Sequence, residues 1–411
     1  MKKEIKSIVL LSSGQPSTNP RLVKEAICLF KAGYNVTVLY SFWTSWADQP
    51  DIELKKENAG INWIRVGGHP KEERSSYLLS RFLFKLFKSL IPVWSAGYFK
   101  KNAVNRTSYA LFKKANSVKA DLYIAHSLGA LPAAIHAAKK NRAKAGIDFE
   151  DHYSGQWELN TKDYNLYKWM EDKYIPDISF CTAASPLIGA KYKEDYPFLS
   201  PIIIHNVFSK VYLQPEIAAY KKDTLKLFWF SQTVGRGRGL EELFMALSKL
   251  ENNISVTILG YCDSRVKNEF LQYAKECAIA EGQILFIDPI SPDLIFSIAA
   301  QHHIGLALES ETTINRQICL TNKIFTYLLS GLAIIATDTL AQKQFIDAYP
   351  EIGCYYSKGS VVDLAELILK YQNNPELLQK HRLITLKLAN EVMNWEEEQK
   401  KYLVLIGQNI I

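Results

Sequence analysis

The sequence predicts an α/β protein of two Rossmann-like domains, each built on a parallel sheet. Apolar runs of strand length alternate with helix-period segments along the chain. At 411 residues it exceeds what one hydrophobic core usually holds. The strand-like runs also fall into two series, parted by a stretch that ends in KKDTLK.

The first series opens with an apolar strand at 8–11, followed by the loop SSGQPSTNP. Asn19 reads as a helix N-cap with Pro20 at the first helical position. The helix RLVKEAICLFKAG is expected to bury Leu22, Ala26, Leu29 and Phe30 and to stop at Gly33. A second strand at 36–40 completes a βαβ unit. A strand at 121–125, a helix near 131–140 and a strand at 145–149 continue the pattern. The second series places strands at 225–230, 255–259, 284–287, 304–308 and 332–336. The expected divisions are 1–210, 211–392 and a C-terminal helix at 393–411 that packs back toward the first domain.

Composition narrows the function classes. A net charge of +7 is too mild for a dedicated nucleic-acid binder, so no nucleic-acid partner is expected. Six cysteines are scattered without a C-x-x-C pair, as in reduced thiols of a cytoplasmic protein. The basic start MKKEIKSIVLLSSG carries too short an apolar run for a signal peptide and reads as a first strand. No stretch approaches the length of a membrane span.

The segment TNKIFTYLLSGLAIIATD (321–338) is the most informative. Thr321 or Asn322 caps a helix, Ile324, Phe325, Leu328 and Leu329 form its apolar face, and Gly331 ends it. Residues 332–336 then form a buried strand that closes on Thr337 and Asp338. Lys323 sits in the first turn, where the macrodipole is positive and a cation is unfavourable. Either it is a solvated surface lysine, or an anion docks between it and the free N–H groups.

Ligands of such sheets bind beyond the carboxyl ends of the strands, here in a cleft expected between the domains. The candidate groups follow strands accordingly. Gly14, Gln15, Ser17, Thr18, Asn19 and Arg21 form a small-residue loop leading into a helix N-terminus. It matches neither G-x-G-x-x-G nor a P-loop, and suits a diphosphate, sugar hydroxyls or merely a cap. In SQTVGRGRGLEEL, Arg236 and Arg238 alternate with Gly235, Gly237 and Gly239, an arrangement suited to phosphate. His126 follows the strand at 121–125 and is either structural or a substrate contact. Asp151, in FEDH, reads as a cap, a base or an acceptor ligand. Glu309, Ser310, Glu311 and Thr312 offer acceptors for sugar hydroxyls. Metal motifs such as D-x-D or H-E-x-x-H are absent, so no metal is expected.

Residues 75–101 interleave Arg81, Lys85, Lys88, Lys100 and Lys101 with large apolar residues, including Trp94, Tyr98 and Phe99, and Lys113 and Lys114 follow. This stretch is either a core helix with a basic outer face or a contact with an anionic membrane surface.

Taken in order, these features resemble the GT-B-fold glycosyltransferases of the retaining family 4 type, in their bacterial polysaccharide and glycolipid branch. The resemblance rests on the loop PSTNPRLVKEA, His126, the G-R-G-R-G loop, NKIF-x-Y-x-x-x-G-x-x-I-x-A-T-D and the closing NWEEE. It implies a nucleotide-sugar donor in the second domain and a saccharide or lipid-linked acceptor in the first. It also implies catalysis without metal or further cofactor, in the cytoplasm or on the inner face of the membrane.

By the same resemblance Arg238 matches a diphosphate-binding lysine, Gly14 the loop glycine near the diphosphate, and His126 the histidine that approaches the donor sugar. The expected catalytic residues are His126 and Glu309. Gly14, Arg236, Arg238, Asn322, Lys323 and Thr326 are expected to hold the donor, and Asn19 and Asp151 the acceptor. The sequence departs from the family at Thr326 and Ile318, where a Glu-x7-Glu pair is usual, and at Thr233, where an Arg is usual. Glu309 or Glu311 can supply a carboxylate from a different loop. The departures leave two alternatives: a silent nucleotide-sugar-binding or interaction protein, and a GT-B nucleotide-sugar epimerase.

Overall fold

The computed structural model describes residues 5–91, 97–214, 216–217, 220, 224–250, 253–309 and 313–410. The chain forms two compact units, Met1–Ile204 with Gln399–Ile411, and His205–Glu398.

The first unit contains β1 (Ser7–Leu11), β2 (Asn35–Ser41), β3 (Asn62–Val66), β4 (Leu122–Ala125), β5 (Lys144–Phe149), β6 (Phe180–Ala183) and β7 (Ile202–Ile203). They form one parallel sheet in the order β3-β2-β1-β4-β5-β6-β7. The apolar runs of β1 and β4 are fully buried, as central parallel strands covered on both faces must be. The helix Pro20–Lys31 follows β1. Asn19 caps it by accepting from the Leu22 amide at 3.0 Å, and Gly33 lies just beyond its end at φ 91°. Phe30, expected in the core, is 42% exposed. Its ring lies over Gly60, where a Cβ would come within 2.2 Å of it, so it covers the flank of the unit instead.

The second unit contains β8 (Leu225–Thr233), β9 (Ile254–Tyr261), β10 (Ile284–Ile287), β11 (Ile304–Ala307), β12 (Ala333–Thr337) and β13 (Gly353–Tyr356). Their order is β10-β9-β8-β11-β12-β13, again all parallel. The helix Asn322–Leu329 precedes β12, and Gly331 takes φ 65° after it, a conformation easy only for glycine. Thr321 is the N-cap by position, but its side chain makes no capping bond. The strands β3, β6, β7 and β13 were not foreseen from sequence, being short or only partly apolar.

Each sheet reverses its strand order once, at β1/β4 and at β8/β11. Such a reversal leaves a crevice beyond the carboxyl ends of the two strands. The loop from Ser12 and His126 follow β1 and β4; the glycine–arginine loop and Glu309 follow β8 and β11. Among the described residues, no helix is long and apolar enough to cross a membrane.

Gly260 shows how tightly β8 and β9 are joined at this end. It has φ 145°, and a Cβ there would lie 2.0 Å from the Ser231 carbonyl oxygen. Gly260→Ala should destabilise the second unit by about 2 kcal/mol or more, read as a lower urea midpoint.

Candidate functional site

At the β8/β11 crevice, Glu309 follows β11 and its backbone N–H donates to Thr337 Oγ1 at 2.7 Å, fixing the turn against the end of β12. The Glu309 carboxylate is buried and holds two cations. Oε1 accepts from Lys323 Nζ, and Oε2 accepts from Arg316 Nη1 at 3.1 Å. Lys323 is therefore neither solvated nor waiting for its first anion. It is buried in the first turn of its helix, lies 5.6 Å from the Trp229 ring centroid, and takes its counter-charge from a strand end. Among the described residues, two cations thus surround one carboxylate, a positive excess.

Arg238 enters the same crevice from the loop after β8 and donates from Nη1 to Ser231 Oγ at 2.9 Å. Gly239, at φ 81°, starts the next helix so close to β11 that a Cβ would lie 2.7 Å from that of Leu308. Arg236 points to solvent and pairs with Glu269 at 3.2 Å. Asn322 is exposed and accepts from Asn206 Nδ2 at 2.8 Å. Thr326, expected to contact the donor, is 1% exposed inside the helix. Ser310, Glu311 and Thr312 lie outside the described residues.

At the β1/β4 crevice the loop after β1 is held by the protein itself. Gln15 Oε1 accepts from the amides of Trp43 and Thr44 at 2.9 and 2.7 Å, and its Nε2 donates to Asp48 and Asp51, each at 3.1 Å. Ser17 gives both its amide and its hydroxyl to Asp51. Gly14 donates its N–H to Ser12 Oγ at 3.1 Å and accepts at its carbonyl from the Ser41 amide. Asn19 is also engaged: besides capping its helix, it donates from Nδ2 to Glu150 Oε1 at 2.6 Å.

Beneath this loop lies a buried ionic network. Arg21, on the first turn of its helix, makes a two-pronged bond to Asp148 of β5 and donates to the Ile204 carbonyl. Thr182 Oγ1 also donates to Asp148, at 2.5 Å. The His126 side chain has no exposed surface. Its Nε2 lies 3.3 Å from Glu25 Oε2, and its Nδ1 lies 3.2 Å from Glu150 Oε1 and 3.6 Å from Asp148 Oδ2. Burial alone would lower the His126 pKa, but Glu25, Glu150 and Asp148 outweigh it and raise the pKa to about 10. Burial pushes Glu150 up, with His126 offsetting only part of it. Asp148 is held below the ordinary carboxylate range, because Arg21 and His126 overcome its burial.

The His126 side chain, expected to approach the donor sugar, is enclosed among three carboxylates inside the unit. Asp151 is engaged with Gln156 Nε2 at 2.9 Å. One ligand atom from each of Glu25, His126 and Asp148 falls within 4.8 Å of the others, a donor set that spacing rules cannot see because it joins three elements. Arg21 and the imidazolium already supply its positive charge, so the cluster reads as a closed ion-pair network.

No protein-family model matches the chain, and no curated protein sequence does. Solved structures do match. A glycosyltransferase from Rickettsia africae ESF-5 superposes with a TM-score of 0.70 at 14% identity, covering 99% of both chains. Sucrose-phosphate synthase from Thermosynechococcus elongatus gives 0.72 at 13%, over 98% of each chain. HepE of Anabaena, solved with UDP and glucose, gives 0.69 at 13%, over 98% of this chain and 100% of its own. The fold is GT-B. Within it, sequence reasoning missed Glu25, Asp148, Glu150 and Arg316. The Arg21–Glu25 spacing, one turn apart on the buried face of a helix, was the one local signal.

Removing the cation at His126 strands Glu25 and Asp148 inside the unit. His126→Gln should cost roughly 3–5 kcal/mol, measured by denaturant unfolding. The folded pKa of about 10 lies above the ordinary 6.5. The stability it contributes is therefore complete below pH 6.5 and lost as the pH rises toward 10. His126→Gln should flatten that alkaline decline.

Proposed function

We propose that the protein is a glycosyltransferase of the retaining family 4 type, moving a sugar from a nucleotide-diphosphate sugar to a saccharide or lipid-linked acceptor without a metal ion. What carries this reading is the excess positive charge of Lys323 and Arg316 over Glu309 at the β8/β11 crevice. It lies in a fold that HepE shares, and HepE was solved with UDP and with UDP-glucose.

The donor diphosphate would lie against Arg238, Lys323 and the N–H groups that open the helix Asn322–Leu329, with Arg236 and Asn322 at the rim. As it arrives it competes with Glu309 for Lys323 and Arg316. The carboxylate so released can accept hydrogen bonds from the sugar hydroxyls. Charge that builds on the departing diphosphate then meets fixed cations in a partly buried site, which lowers the barrier without a metal. The transition state is oxocarbenium-like, so placement of the two substrates counts for more than a strong base.

In the first unit, Gly14 and Asn19 bound a loop held rigid from beneath, and Asp151 follows β5 and pairs with Gln156. We assign Asn19 and Asp151 to the acceptor and Gly14 to the donor diphosphate, with His126 as the residue that positions this floor. All six cysteines are free, which suits a reducing cytoplasm. A second reading, a nucleotide-sugar binder without turnover, is favoured by Thr326 and Ile318. Neither supplies the carboxylate usual at its position, and both are buried.

A panel of nucleoside diphosphates should include one that raises the melting temperature of the purified protein. A flat response across the panel would sink both readings. Arg238→Ala should leave the unliganded melting temperature near that of the parent and weaken diphosphate binding by roughly tenfold. Lys323→Ala should weaken binding too, but with lower unliganded stability, because it strips Glu309 of a partner. Sugar transfer from the donor to a lipid-linked acceptor, detected by mass spectrometry, separates the enzyme from the binder.

A further inference from the structure

The helix Arg74–Leu90 has a buried side and an open side. Ser80 and Phe87 are buried, and Phe87 packs with Leu83, Phe99 and Ala103. That side is an ordinary core contact. The opposite side is neither buried nor simply polar: Leu78, Leu79, Phe82 and Leu86 are 54, 56, 62 and 38% exposed. At 3.6 residues per turn these four fall on one arc of about 100°, and the exposed Arg74, Lys85 and Lys88 fall on the arc beside it, while the Arg81 guanidinium is turned in over the Tyr77 ring at 4.3 Å. The open side therefore pairs an apolar stripe with a cationic one.

The helix Ser108–Ala115 extends the same face. Between the two helices runs a groove of about 440 Å³, lined by Leu79, Leu83, Phe84 and Tyr109 and bordered by Arg106 and Lys113. From Arg74 to Ala120 there are ten Lys and Arg residues and no Asp or Glu. The whole chain nets only +7, so everything outside this stretch is net acidic. Lys88 pairs with Asp163 at 3.5 Å, whereas Arg74, Lys85 and Lys113 are exposed and form no ion pair among the described residues.

We propose that this face docks on an anionic phospholipid bilayer. The stripe of Leu78, Phe82 and Leu86 enters the interfacial layer, and Lys85, Arg106 and Lys113 meet the headgroup phosphates. The groove gives one acyl chain an apolar bed beside those cations. Charge alone would equally suit a nucleic acid. The exposed leucines and phenylalanine beside the lysines decide for lipid, since a phosphate backbone does not reward them. This assignment stands independently of the transferase reading.

The test is flotation of the full-length protein with vesicles of phosphatidylcholine alone and of phosphatidylcholine mixed with phosphatidylglycerol. The protein should float with the mixed vesicles, stay behind with the neutral ones, and be released by high salt. Lys85→Glu with Lys113→Glu should cut partitioning by about tenfold or more. Phe82→Ser should weaken it without changing its salt dependence. All three positions are exposed, so the melting temperature of each variant should match the parent. No flotation, equal flotation with both vesicles, or indifference to Phe82→Ser would overturn the assignment. Capture by a single-stranded oligonucleotide that needs Lys85 and Lys113 but not Phe82 would give the face to nucleic acid instead.

Discussion

A buried cation in the first turn of a helix must be answered by an anion, and both units are organised around that demand. Arg21 is the second residue of the helix Pro20–Lys31, and Lys323 is the second residue of the helix Asn322–Leu329. Each sits where the macrodipole already disfavours positive charge, and each is almost wholly buried. The answer comes from the carboxyl end of the sheet: Asp148 near the end of β5 for Arg21, and Glu309 just past β11 for Lys323. These pairs tie a helix start to a strand end at the level where the reversed strand order opens a crevice. The crevice floor is thus fixed by electrostatics as much as by packing.

The two pairs differ in how complete they are. Asp148 accepts three hydrogen bonds, two from the Arg21 fork and one from Thr182, with the imidazolium 3.6 Å away. Glu309 faces one lysine and one half-exposed arginine, which leaves a positive excess among the described residues. The first unit therefore compensates its buried charge internally, and the second leaves part of its charge uncompensated among the described residues. That contrast is the physical basis of the different roles proposed above for His126 and Lys323.

Much of the fold could be read from the sequence because parallel α/β units leave strong local marks. The Asn19 cap, the stop at Gly33, the apolar strand after Gly331 and the segmentation into two series all arise within a few residues of each other. What escaped was decided at longer range. Nothing near Lys323 announces that Glu309, fourteen residues earlier, turns back to meet it. Nothing near His126 announces Glu25 from one helix and Asp148 from another strand. Phe30 fits the helical periodicity, yet covers Gly60 on the flank. Thr326 falls at a recognisable motif position, but its burial depends on how the whole helix seats against the sheet. Local pattern located the candidate sites, and side-chain partnership, which the pattern does not encode, assigned their roles.

The helix Trp395–Asn409 begins in the second unit, and from Gln399 onward it belongs to the first. Tyr402 and Ile406 are buried there, with the Tyr402 phenol beside Glu25. The first unit therefore cannot complete its packing until residues 399–410 have been translated. The second unit, continuous from His205 to Glu398, has all its residues earlier. During synthesis the apolar surface that Tyr402 and Ile406 cover stays open over that interval.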